Sequence, residues 1–317
     1  MILRTLRETA RSVCLRRYSR QAAEKAQQSA DGLLMDDGSG FRLPYIHRYT
    51  AEGPHGPHAV FVATPGVPPP PGGYPVLYML DGNAWIASAA EALHFQARFA
   101  RESAIEPFII VAVGYPGDDP INMGRRAYDL LPKHRSPKLG AKFMQGAPWH
   151  QPGGADAFLD FLSGPLRRAV AARYPVNPGR RILWGHSFGG FFALHALLTA
   201  PHVFDGYAAL SPSLWWDDGR LTKEADELIG RLPGDTDASV LIAVGGNETP
   251  DRPAISERMI ADAESLSKNL SANGPPGLHV EYRLLDGETH QSVPVAAHSR
   301  VFRFASRVAA RPETTPS

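Results

Sequence analysis

The stretch Gly185-His186-Ser187-Phe188-Gly189-Gly190 places a serine among glycines, directly after the apolar run Arg181–Trp184 and at the start of the apolar helical pattern Phe188–Thr199. Strand, sharp turn and helix in that order is the setting in which a G-x-S-x-G serine projects its hydroxyl above the end of a sheet. Glycine at 185 and 189 removes side chains where strand and helix must approach closely. Ser187 is therefore the candidate nucleophile. The backbone N–H of Phe188, at a helix N-terminus, is a candidate donor to the oxyanion of an acyl-transfer intermediate.

A serine hydroxyl needs a base, and in a sheet of this kind the partners follow in the order acid, then histidine. Four histidines lie far enough downstream: His202, His279, His290 and His298. His202 leaves the nucleophile helix, His279 is inside a strand pattern and His298 inside a helical one. His290 lies in Asp286-Gly287-Glu288-Thr289-His290, a loop after a strand, and is the candidate general base. The acid should follow the preceding strand, in Gly245-Gly246-Asn247-Glu248-Thr249-Pro250-Asp251. Glu248 comes first, with Asp251 as the alternative; its task is to hold the imidazole in one tautomer and stabilise the imidazolium. A second oxyanion donor should come from the loop after an early strand. The run Val76–Leu80 leads into Asp81-Gly82-Asn83, so the N–H of Asn83 or of Gly82 is the candidate.

These positions require a scaffold of alternating strands and helices. Strand patterns occur at Ala59–Ala63, Val76–Leu80, Phe108–Gly114, Arg181–Trp184, Gly206–Leu210, Val240–Val244 and Val280–Leu285. Several are apolar throughout, as strands buried on both faces are. Helical spacing occurs at Ala84–Phe99, Ala155–Arg173, Phe188–Thr199, Ile255–Leu270 and Val295–Val308. The alternation predicts an α/β fold: a mostly parallel central sheet with helices on both faces. Ligands then bind beyond the carboxyl ends of the strands, where each candidate lies.

Composition narrows the function. The 317 residues carry 33 Lys and Arg against 32 Asp and Glu, a formal net charge of +1, which argues against a nucleic-acid binder. One cysteine, Cys14, excludes an intramolecular disulfide framework and a multi-cysteine metal site. No apolar stretch approaches the roughly 20 residues needed to span a bilayer. Residues 1–30 hold seven basic residues (Arg4, Arg7, Arg11, Arg16, Arg17, Arg20, Lys25) against Glu8 and Glu24, with apolar residues at helical spacing. No secretory h-region is evident, so a cytoplasmic location is expected. The expected organisation is a basic, loosely ordered segment over 1–35, one catalytic domain over 36–310 and a disordered tail over 311–317.

Several motifs together carry a resemblance. Tyr74–Ala84 (Tyr-Pro-Val-Leu-Tyr-Met-Leu-Asp-Gly-Asn-Ala), Arg126-Ala127-Tyr128-Asp129, Leu183–Gly190 and Ser211-Pro212-Ser213-Leu214-Trp215 resemble the esterase family of α/β-hydrolases over residues 40–310. Within it they are most similar to the bacterial siderophore esterases that cleave the serine trilactone of enterobactin and salmochelin. The resemblance implies a single α/β-hydrolase domain, Ser187 as nucleophile and His290 as base. It implies a small-molecule ester substrate and neither metal nor organic cofactor, iron arriving only with the substrate. Some members manage with a Ser–His pair, which leaves the acid open between Glu248, Asp251 and none.

The segment Arg125–Lys142 bears on substrate charge. Arg125, Arg126, Lys133, Arg135, Lys138 and Lys142, with His134, face one acid, Asp129, on a connection leaving the carboxyl end of a strand. Such a concentration would attract an anion such as a ferric tris-catecholate. Arg125 and Arg126 are the expected charged contacts, and Trp149, Trp215 and Trp216 the expected flat walls for aromatic rings. The rival expectations are a general carboxylesterase or S-formylglutathione hydrolase-like thioesterase, then an acyltransferase, then a non-catalytic protein on a hydrolase fold.

Overall fold

The computed structural model describes residues 43–133, 151–249 and 258–311; the basic N-terminal segment, residues 134–150 with Trp149, Asp251 and residues 312–317 lie outside them. From Pro44 onward these residues form one compact unit. Its sheet contains β1 (Ile46–Gly53), β2 (Gly56–Ala63), β3 (Tyr74–Leu80), β4 (Ile109–Gly114), β5 (Val176–His186), β6 (Gly206–Leu210), β7 (Ala238–Gly245) and β8 (Leu278–Leu285). The order is β1-β2-β4-β3-β5-β6-β7-β8. Pairings of β2 with β1 and with β4 are antiparallel; from β4 to β8 all are parallel.

Every residue of β3, β4, β6 and β7 is buried, which explains their unbroken apolar composition. Alternation along β3 feeds two cores. Val76, Tyr78 and Leu80 pack on one side with Leu183, Phe192 and Val240. Leu77 and Met79 pack on the other with Ile182, Trp184 and Phe302. Helix α1 (Gly82–Gln96) covers the second side, α2 is Met123–Leu130, and α3 (Phe188–Thr199) covers the first. Helix α4 (Met259–Asn273) joins α3 on the first side, and α5 (His298–Ala310) joins α1 on the second.

All seven expected strands are present. The helical pattern Ala155–Arg173 is interrupted: Ala155–Phe161 and Arg167–Ala171 flank a π-helical turn, Leu162–Leu166, that contains Pro165. Proline lacks the N–H that would continue the α ladder. Strand β1 carries no apolar signal, because Ile-His-Arg-Tyr-Thr-Ala-Glu-Gly is largely exposed and exists by pairing with β2. Helix α2 is a further element that the periodicity does not mark; Asn122 caps it, its Oδ1 accepting from Arg125 N at 3.1 Å. Since β3 continues through α1 to β4 on one side while β5 lies on its other side, the strand order reverses between β3 and β5. Such a switch point, at the carboxyl ends of the two strands, is where α/β sheets generally bind their ligands.

Candidate active site

Strand β5 ends at His186 and α3 begins at Phe188, so Ser187 alone makes the turn, with φ 59° and ψ −115°. This is a costly backbone conformation for a residue with a Cβ, on the order of 1–3 kcal/mol. Ser187 N donates to Leu210 O at 2.9 Å and its carbonyl accepts from Phe191 N at 2.9 Å. A Cβ on Gly185 would lie 2.2 Å from the backbone of Gly189, and one on Gly190 2.8 Å from Leu210 O. The crowding therefore falls on Gly185 and Gly190. At Gly189 itself the nearest neighbour is a Leu80 methyl at 3.4 Å, so the second expected glycine is less constrained than its spacing implies.

Two neighbouring loops bring Glu248 and His290 together. Gly246 N donates to Leu285 O at 2.7 Å, Asn247 N to Glu288 O at 2.9 Å and Asn247 Nδ2 to Gly287 O at 2.8 Å, stitching the turn after β7 to the turn after β8. His290 Nδ1 then donates to Glu248 Oε2 at 2.8 Å. Both side chains are buried. The other carboxylate oxygen, Oε1, accepts from Ser211 Oγ at 2.5 Å and Gly245 N at 2.8 Å. Burial pushes the Glu248 carboxyl up, but the hydrogen bonds from His290 and Ser211, the His290 charge and the Gly245 N–H outweigh it and hold the group below the ordinary glutamate value. A carboxylate only accepts, so the ring proton belongs on Nδ1 and the lone pair on Nε2.

Ser187 Oγ lies 3.1 Å from Ser213 Oγ. Among the described residues it makes no hydrogen bond to His290; such contacts often tighten only when substrate binds. His186, the residue before it, lies with its ring centroid 4.5 Å from that of His290. Burial drives the His186 pKa well below the usual histidine range, and the charges of His290 and Arg126 push the same way, so this ring is a neutral neighbour of the candidate base.

At the neighbouring strand end, Asp81 follows β3 in the left-handed region (φ 53°), and α1 starts at Gly82. A Cβ on Gly82 would lie 2.9 Å from the backbone of Ala112. The Asn83 side chain grips the backbone after β4, its Oδ1 accepting from Tyr115 N at 2.9 Å and its Nδ2 donating to Tyr115 O at 3.0 Å. The N–H groups of Gly82, Asn83 and Phe188 thus belong to the first turns of two helices that start at adjacent strand ends, and a helix N-terminus presents such groups outward.

Arg126 is placed otherwise than expected. It is 3% exposed. Its Nε and Nη2 donate to the two oxygens of Asp81 at 2.8 Å each, and Nη2 also reaches His186 O at 3.3 Å. Its guanidinium carbon lies 5.1 Å from the Phe188 ring centroid. It ties the β3 end to the β5 end and offers no charge to a ligand. Arg125 is also engaged, with Nη1 donating to Pro57 O at 2.6 Å and the guanidinium over the Tyr115 ring at 5.1 Å. Trp216 is buried in the core against Phe188, while Trp215 is half-buried and packs against both of these rings. Trp149 and the rest of the basic segment beyond Lys133 fall outside the described residues. Sequence reasoning assigns no role to Ser211 or Ser213; the Ser-Pro-Ser-Leu-Trp motif is the one signal that could have pointed to their contacts.

Residues 54–301 match the family described as "Putative esterase". The chain is 30% identical to the ferri-bacillibactin esterase BesA of Bacillus subtilis, over 88% of this chain and 96% of that protein. It is 34% identical to the siderophore triacetylfusarinine C esterase of Aspergillus fumigatus, over 72% and 80% respectively. Among solved structures, the BES protein of Bacillus cereus superposes with a TM-score of 0.75 at 29% identity, covering 86% of this chain and 99% of that one.

Proposed function

This chain belongs to the "Putative esterase" family and is an ester hydrolase, and on that premise we propose that it is a serine esterase acting on the ester linkages of a siderophore, which frees the bound iron. The observation that carries the reading is the buried Glu248–His290 pair, 2.8 Å apart, at the same end of the sheet as a serine on a strained strand-to-helix turn. Ser187 Oγ attacks the ester carbonyl carbon while His290 Nε2 takes its proton. The oxyanion forms near the N–H of Phe188 and that of Asn83 or Gly82. The C–O bond to the alcohol breaks as His290 returns the proton to the leaving oxygen. Water then gives a proton to His290 and attacks the acyl-enzyme, releasing the acid and restoring Ser187.

The siderophore assignment is supported by the names of the relatives, which act on ferri-bacillibactin and triacetylfusarinine C. A ferric siderophore would bring its iron as cargo. A cytoplasmic place of action belongs to the same proposal; no helix among the described residues is long and apolar enough to cross a membrane. One observation favours a second reading, a general carboxylesterase: Arg125 and Arg126 are both engaged within the fold, which removes two charges from the argument for an anionic substrate.

Mass spectrometry of products tests this. Ferric enterobactin, the iron-free trilactone and a simple aryl ester are incubated with the enzyme and with S187A. Serine-dependent opening of the trilactone at rates well above the aryl ester is the expected result. Cleavage of the aryl ester alone would retain the chemistry and replace the substrate class.

A further inference from the structure

The segment Ser211-Pro212-Ser213, directly after β6, touches both ends of the candidate triad. Ser211 Oγ donates to Glu248 Oε1 at 2.5 Å, and Ser213 Oγ lies 3.1 Å from Ser187 Oγ. Both serines are fully buried. The backbone is pinned on both sides: Ser211 N donates to Ala243 O of β7 at 2.7 Å, and Ser213 N to Ser187 O at 3.1 Å. Between them, Pro212 Cα lies 3.1 Å from where a Gly190 Cβ would be. Ser211 sits at φ 40°, a region where a side chain is strained. A strained, buried, twice-anchored tripeptide whose two hydroxyls reach two different members of one site is an outlier that points to function.

We infer that Ser211-Pro212-Ser213 is a positioning strap, in which Ser211 acts through Glu248 on His290 and Ser213 sets the Ser187 hydroxyl. The inference rests on the reading of Ser187, His290 and Glu248 as the reacting set. Without the Ser211 hydroxyl, the ionised carboxylate loses one of its donors, and the state with Glu248 charged and His290 neutral is destabilised relative to the protonated pair. With fewer donors on it, the carboxylate keeps more of its charge for the imidazolium, so the acid limb of the rate profile moves up. Among the described residues, the other titratable groups around the pair are His186 against the His290 ring, Arg126 behind His186, and Tyr282, whose phenol feels the Glu248 charge. Among the described residues Ser213 makes no hydrogen bond to a carboxylate, so its loss leaves the acid limb in place and acts on the nucleophile alone.

The test is the pH dependence of kcat/KM on p-nitrophenyl butyrate for the wild type, S211A, S211G, S213A and E248Q. Alanine removes the hydroxyl and keeps the strain; glycine removes both. The acid limb is expected to move up by about half a pH unit or more in S211A and S211G alike. S213A is expected to lose about tenfold in kcat with the limb unmoved and KM little changed. An acid limb at the wild-type position in both Ser211 variants, or wild-type kcat in S213A, overturns the strap. E248Q separates the premises: full activity there would overturn the Glu248 assignment and the Ser211 branch with it, whereas loss in E248Q beside unshifted Ser211 variants would overturn the strap alone.

Discussion

His290 Nδ1 and Glu248 Oε2 lie 2.8 Å apart although 42 residues separate them in the chain, because the turns that follow two adjacent parallel strands are hydrogen-bonded to one another. Glu248 is held at both oxygens, Oε1 accepting from Ser211 and from the Gly245 N–H. This geometry favours a triad with Glu248 as its acid over a Ser–His pair, and the distinction is measurable.

E248Q should lower kcat/KM on an aryl ester by between about 10²- and 10⁴-fold, as amide replacement does where the carboxylate sets the tautomer of the base. Steady-state kinetics at pH 8 decide it. A loss smaller than about threefold would reduce the reacting set to Ser187 and His290.

Replacing Gly185 and Gly189 by alanine should give opposite outcomes. The Gly185 Cβ would meet the backbone of Gly189 at 2.2 Å, and backbone cannot yield cheaply; the Gly189 Cβ would meet a leucine methyl at 3.4 Å, an ordinary contact. G185A should cost about 3 kcal/mol or more and G189A less than about 1 kcal/mol. Urea unfolding midpoints check this, and equal effects would mean the strand–helix junction is looser than described.

The Asp81–Arg126 pair should behave as a buried ion pair. D81N leaves the guanidinium buried beside a neutral partner and should destabilise by about 3–5 kcal/mol. Asparagine tolerates the left-handed conformation of residue 81, so the loss is assignable to charge. The double variant D81N/R126M should be less destabilised than the sum of the single variants, which a double-mutant cycle in urea reads directly. Strict additivity would show that the two residues do not stabilise one another.

His298 couples stability to pH. Burial beneath Trp184 and Phe302 lowers its pKa from the ordinary histidine value of 6.5 to about 4 in the folded chain. Its neutral form is therefore favoured by folding, and the unfolded chain binds the extra proton between these pH values. That contribution is fully present above pH 6.5 and is lost as the pH falls toward 4, amounting to about 3 kcal/mol in all. H298Q should flatten the fall in unfolding free energy between about pH 7 and pH 4.5. An unchanged slope would place the acid sensitivity elsewhere, with the buried His186 the next group to examine.

Whatever is legible in the chain alone is local in origin. The buried strands announce themselves by unbroken apolar runs, α3 by its spacing, and the Ser187 turn by the glycines around it, since each follows from sterics and burial within a few residues. The order of Ser187, Glu248 and His290 along the chain is enough to nominate them because the α/β alternation sends each to the same end of the sheet. Tertiary structure decides the rest. Strand β1 exists through its pairing with β2, with little apolar pattern of its own. Arg126 reads as an exposed cation in a basic run, yet the fold swings it onto Asp81, 45 residues away, at a junction of two strand ends. Ser211 and Ser213 reach Glu248 and Ser187 across 37 and 26 residues. Contacts of this kind depend on strand register and on which rotamers survive packing, and neither is encoded within the window where composition and periodicity operate.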